Sequence, residues 1–281
     1  MCEFCTRHGE GKKWYLQANN YAADLLSDVR RRQMIVDMFA NPERLSRDEE
    51  RLVQLHRAPR FVQQAVKSLV VRRMKKWHFG QVVPLEEVEE IFGFVNSIVR
   101  VACICRYATL GREARYCYGV SLGPGVGGVA SVLQGLDGSF FSGPDTSGFE
   151  RLSAQQALAA LAEHEQEGLC HTVWTFKSPF IGGICNCDRA DCMAMRATVT
   201  HGVKAMFRGE YVAAVDADVC AGCRSCLRAC QFGALAFSAA TKKAYVDQMA
   251  CYGCGICRSM CSKGALSLLP RAQVPAVASV W

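Results

Sequence analysis

The residues able to do chemistry in this chain are its cysteines, and their spacing is regular. Cys220, Cys223, Cys226 and Cys230 read C-x2-C-x2-C-x3-C, and Cys251, Cys254, Cys257 and Cys261 repeat the pattern 31 residues later. Three cysteines two residues apart make a tight loop around three corners of a cubane iron–sulfur cluster. The fourth opens the following helix and points to the other cube. The spacing therefore assigns Cys220, Cys223, Cys226 and Cys261 to one [4Fe–4S] cluster, and Cys251, Cys254, Cys257 and Cys230 to a second. Paired C-x2-C motifs also make four-cysteine zinc sites, but zinc does not require a third and fourth cysteine at these offsets, twice over.

The flanks repeat too. Tyr211–Val215 and Ala244–Val246 read as strands entering each loop, and Gly233–Phe237 and Gly264–Leu268 as strands leaving, so one strand–loop–helix–strand unit occurs twice. The stretch resembles the bacterial-type two-[4Fe–4S] ferredoxins. That family places proline after the fourth cysteine; Gln231 and Ser262 stand there in this chain.

A second constellation lies upstream. Cys103 and Cys105 form one C-x-C pair, Cys185 and Cys187 another, with Cys117 and Cys192 beside them. Neither pair can wrap a cube alone, but together they supply ample thiolates for a further metal or cluster site. The segment resembles a family of anaerobe iron–sulfur proteins. In that family a C-x-C-R segment, a helix ending Gly-Leu-x-His and an I-C-N-C segment precede a dicluster domain. The match covers Cys103, Cys105, Arg106, Gly168, Leu169, His171, Ile184, Cys185, Asn186, Cys187 and Cys192. His171 is a weaker ligand candidate, and Cys170 has no assigned role. Cys2, Cys5 and His8 form a further half-site. It is not a haem attachment motif, because Thr6 and Arg7 separate Cys5 from the histidine.

The elements that must position these cysteines follow from patterning. One amphipathic helix is expected from Trp14 to Phe39, ended by Asn41-Pro42. A capping box at Ser46–Glu49 opens a short helix. Pro59 opens another, which ends in Arg72, Arg73, Lys75 and Lys76. A helix from Leu85 to Val101 follows. Residues 119–148 are glycine-rich and read as turns; Pro124 and the lack of a strand–loop–helix setting argue against a dinucleotide site. Ser153 and Gln156 form a capping box for a helix to Glu167, stopped by Gly168. A strand is expected over 171–176.

These elements imply an α+β fold: a basic helical region at 1–100, a mixed cysteine-containing domain at 101–209, a ferredoxin-like pseudo-two-fold domain at 210–269 and a tail at 270–281. The chain has 281 residues, seventeen of them cysteine, and a formal charge of +7. Residues 1–80 carry 16 Lys/Arg and 9 Asp/Glu, so the whole basic excess lies there. With no apolar run long enough to span a bilayer and no leader pattern, the cysteines are expected to be metal ligands in a reducing, anaerobic cytoplasm. The expected function is single-electron transfer through two [4Fe–4S] clusters to the central cysteine site or to a redox partner protein. The alternatives are an oxidoreductase whose central site reduces a substrate and, further off, a redox or metal sensor. The Lys/Arg cluster comes with no nucleic-acid motif, and nucleic acid is not an expected partner. Arg224 and Arg258 are candidates for tuning the clusters or docking a partner.

Overall fold

The computed structural model describes residues 13–136 and 149–280. The fold is α+β. Its centre is a seven-stranded sheet built from β1 (Gly80–Val82), β2 (Ser97–Val101), β3 (Cys117–Ser121), β4 (Phe149–Arg151), β5 (Cys170–Thr175), β6 (Ile181–Cys187) and β7 (Met206–Phe207). Their order is β4-β2-β3-β6-β5-β1-β7. All neighbours are antiparallel except β1 and β7. β1 precedes residue 100 and β2 spans it, yet both belong to the same sheet as the strands that follow.

Successive strand residues point to opposite faces, and the alternation divides the core in two. Val173 and Ile184 face a cluster with Trp14, Tyr15, Tyr21, Val88, Ile91 and Leu161. This cluster lies under helices α4 (Leu85–Phe94) and α7 (Ala154–Gln166). Trp174, Cys170, Cys185 and Cys187 face the other layer. There lie α1 (Val29–Ala40), α5 (Ile104–Leu110), α6 (Gly128–Leu133) and α8 (Met193–Val199). Helices α2 (Glu43–Leu55) and α3 (Arg60–Trp77) lie outside this layer, and neither contains a fully buried residue.

Several expected elements are corrected. The stretch before Phe39 is not one helix. Three short 3-10 turns cover Trp14–Ser27, and α1 begins afresh where Asp28 Oδ1 accepts a hydrogen bond from Arg31 N at 3.0 Å. Burial of Trp14, Tyr15 and Tyr21 in the sheet core outweighs the helical periodicity. Ser46 does not cap; α2 starts at Glu43, and Ser46 Oγ donates to Ala108 O at 3.1 Å. The helix from Leu85 stops at Phe94, and Ser97–Val101 is the strand β2. The glycine run after β3 does lie between a strand and a helix. Its backbone is already engaged, however: Ser121 Oγ accepts from Gly123 N at 3.0 Å and Ser97 Oγ from Gly127 N at 3.1 Å. The Ser153 capping box is formed, with both reciprocal bonds.

The C-terminal unit is a pseudo-two-fold pair of short sheets. Strand β8 (Tyr211–Val215) pairs with β11 (Leu266–Pro270), and β9 (Leu235–Ser238) pairs with β10 (Lys243–Val246). One-turn helices α9 (Ser225–Ala229) and α10 (Ile256–Ser259) follow the two loops. The last residues pack onto this unit: Val277 is in its core, and buried Arg271 Nη2 meets Glu210 at 3.2 Å. Among the described residues no helix is long and apolar enough to cross a membrane.

Candidate metal centres

The eight repeat cysteines line two small cavities. Cys220, Cys223, Cys226 and Cys261 surround one. Cys251, Cys254, Cys257 and Cys230 surround the other. Each cavity thus takes three thiols from one repeat and the fourth from the opposite repeat. The loops bend through left-handed backbone at Gly222 (φ +69°) and Gly253 (φ +70°). A Cβ at these positions would stand 2.3 Å from Lys242 O and 2.1 Å from Tyr211 O, so only glycine fits. The next left-handed position holds Gly255 in one repeat and Arg224 in the other, and the Arg224 guanidinium stacks 3.9 Å from the Phe237 ring centroid. Backbone amides point at sulfur: Ala213 N to Cys251 at 3.4 Å, Ala234 N to Cys230 at 3.2 Å, Ala265 N to Cys261 at 3.3 Å. Amides aimed at thiolates suit a bound cluster, whose negative charge they offset.

The six upstream cysteines come together from four elements. Cys185 and Cys187 are two apart on β6 and so share a face. Cys117 opens β3 directly opposite Cys185. Cys103 and Cys192 sit at the N-termini of α5 and α8, and Cys105 is in α5. Their thiols form a continuous chain of contacts, Cys185–Cys117–Cys103–Cys105–Cys192–Cys187. Hydrogen bonds from Cys105 and Cys117 hold the Cys103 thiol well below the ordinary thiol range. Cys105 and Cys187 do the same for Cys192. Donation to these neighbours, and then burial, pushes Cys105, Cys117 and Cys187 well up. Among the described residues no three or more Cys, His, Asp or Glu side chains converge on one ion-sized point. The dicluster cysteines are arranged around their cavities, whereas the six upstream thiols lie in contact with one another.

The other motif residues brace this set. Arg106 Nη1 donates to Asn186 O at 2.9 Å, its guanidinium pairs with Asp188, and it lies 4.0 Å over the Tyr116 ring. Burial works against its charge, but the Cys103 thiolate and Asp188 outweigh that cost and keep it protonated. The C-x-C-R arginine thereby joins the two C-x-C segments. His171 is fully buried and points away from the thiols: its Nδ1 meets Asn186 Oδ1 at 2.5 Å, and its Nε2 lies 3.6 Å from Glu165. Ser259 Oγ of α10 donates to the other Glu165 oxygen at 2.6 Å. Burial raises the Glu165 pKa, and the His171 and Ser259 contacts reverse it, holding the carboxyl below its usual range. His171 thus braces Asn186 against Glu165 and does not reach the thiols.

Several contacts tie the dicluster unit to the central sheet and its helices. Cys170 lies opposite Cys187 across the β5–β6 register, and its thiol hydrogen-bonds to Cys254 of the second repeat. Burial, then this bond, raises the Cys170 pKa well above normal, while the same bond lowers that of Cys254. Cys170 is therefore the donor. Gln231, where the ferredoxin pattern has proline, donates through Nε2 to Gly168 O at 2.9 Å and accepts from Arg189 N at 3.0 Å. A proline makes neither bond. Arg258 pairs with Glu86 of α4, and Arg208 Nη1 donates to Cys251 O at 2.7 Å. The sequence carried no signal for Glu165, Ser259 or Arg208. Cys2, Cys5 and His8 lie outside the described residues.

The six-thiol set forms the floor of a chamber of about 830 Å³ roofed by α2 and α3. No curated protein matches the chain. Residues 219–265 match the family model of the 4Fe-4S dicluster domain, consistent with a ferredoxin-type fold for the C-terminal unit.

Proposed function

We propose that this chain is an iron–sulfur electron-transfer protein with two [4Fe–4S] clusters, one held by Cys220, Cys223, Cys226 and Cys261 and one by Cys251, Cys254, Cys257 and Cys230. A third centre is held by the set Cys103, Cys105, Cys117, Cys185, Cys187 and Cys192. When bound, the clusters supply one-electron chemistry, which needs no acid–base residue from the protein. The chain's own contribution is position. The observation that carries the reading is the position of Cys170, whose thiol contacts Cys254 of the dicluster unit and which stands opposite Cys187 of the central set in the strand register. Cys223 is exposed, whereas its counterpart Cys254 in the second repeat is half-buried. The first-repeat cluster is therefore the port for an external redox partner, and the second-repeat cluster faces inward.

The chamber favours a second reading, in which the central centre is where a substrate is reduced and the dicluster unit is its internal supply. The test common to both is iron and acid-labile sulfide on anaerobically purified protein. About twelve or more of each per chain supports a third cluster, and about eight reduces the protein to a two-cluster carrier. A preparation rich in zinc and poor in iron would overturn both.

A further inference from the structure

Helices α2 and α3 pose a packing problem. Both carry apolar residues at helical spacing, a pattern that normally covers a core. Yet neither has a fully buried residue. Leu52, Leu55, Val66, Val70 and Met74 instead face the chamber of about 830 Å³ whose floor is the six-thiol set. Protein interiors are otherwise close-packed, and small-molecule sites span about 300–1,000 Å³. A metal centre held by the thiols sits at the floor. Aliphatic side chains of α2 and α3 at the roof cannot coordinate it, so the upper space is shaped for something else.

We infer that this chamber binds a neutral, largely aromatic small molecule above the central thiols, with α2 and α3 as its roof. The walls give the chemistry. Trp174, Phe176 and His78 form an aromatic wall, with the His78 ring 4.8 Å from Trp174 and 5.0 Å from Phe176. The polar edge of Trp174 is already used, since Nε1 donates to Thr172 Oγ1 at 2.8 Å. Charges at the wall are paired: Glu49 with Arg196 at 2.6 Å, Asp48 with Arg51 at 2.8 Å, and Arg106 with Asp188. Arg73 is exposed at the rim, in water. An ion entering the interior would lose hydration without a free partner; an aromatic ring loses nothing of the kind. His201 is the polar feature beside the site, held by His56 at 3.1 Å and Glu49 at 3.5 Å.

The inference rests on the proposed third centre only for what stands at the floor, and the experiment separates the two. Naphthalene is titrated into anaerobic holoprotein by equilibrium dialysis, alongside iron analysis of the same samples. Saturable binding of one naphthalene per chain is expected. Val70→Trp on α3 and Leu52→Trp on α2, which fill the space from two sides, weaken it about tenfold or more. Phe61→Trp, on the outer surface of α3 where Phe61 is 74% exposed, leaves it unchanged. Thermal melts verify that each variant is folded. No saturable binding up to the solubility limit of naphthalene overturns the inference, as does equal affinity in a folded Val70→Trp or Leu52→Trp variant. A chain with eight iron atoms that still binds naphthalene keeps the chamber and loses the third centre.

Discussion

At the scale of single residues, two changes separate holding a cluster from tuning it. Gly253→Ala places a methyl 2.1 Å from Tyr211 O at a left-handed position. The second-repeat loop cannot close around it, and iron analysis is expected to fall by about four atoms per chain. Cys170→Ala removes a donor and no proposed ligand. Iron content is expected to stay the same, while the second-repeat cluster shifts to a more negative reduction potential. The reason is that hydrogen bonds to ligand sulfur favour the more negatively charged, reduced state. EPR-monitored redox titration reads this directly; a loss of iron instead would make Cys170 a ligand.

At the scale of elements, the seam between dicluster unit and sheet is a small number of side-chain bonds. Gln231→Ala removes two of them. It is expected to cost about 1–3 kcal/mol in a denaturant titration, at roughly 0.5–1.5 kcal/mol per bond. Placing a proline at this position, as in the ferredoxin pattern, loses the same two bonds. This seam also marks how far the sequence could be read. The cysteine loops were legible because cluster geometry dictates spacing that side-chain identity alone displays. The four strands around those loops were legible for the same reason, as the repeat fixes them. The gathering of six upstream cysteines was legible as a set, since C-x-C on a strand puts both thiols on one face. What periodicity could not give was tertiary choice. Trp14, Tyr15 and Tyr21 carry a helical pattern but are taken into the sheet core, and Ser97–Val101 is apolar enough for either helix or strand until β3 and β4 pair with it. Glu165 and Ser259 meet across 94 positions, a distance over which no local pattern operates.

At the scale of the whole molecule, two histidines held away from solvent set an acid limit. Burial lowers the pKa of both His78 and His164 to about 4, against about 6.5 in an unfolded chain. Between these values the unfolded state binds more protons. Stability is therefore full above about pH 6.5, declines as pH falls toward 4, and is lost no further from these groups below that. Urea midpoints measured from pH 7 to 4.5 should fall, and His78→Gln should flatten the decline. The seam itself has a kinetic meaning. A dicluster module on a free linker would deliver electrons by swinging, and its internal rate would follow solvent friction. Here Gln231, Ser259, Arg258 and Arg208 fix the unit against the sheet. Added sucrose should slow encounter with an external donor and leave the passage of charge within the chain unaltered, as in a wire soldered at both ends.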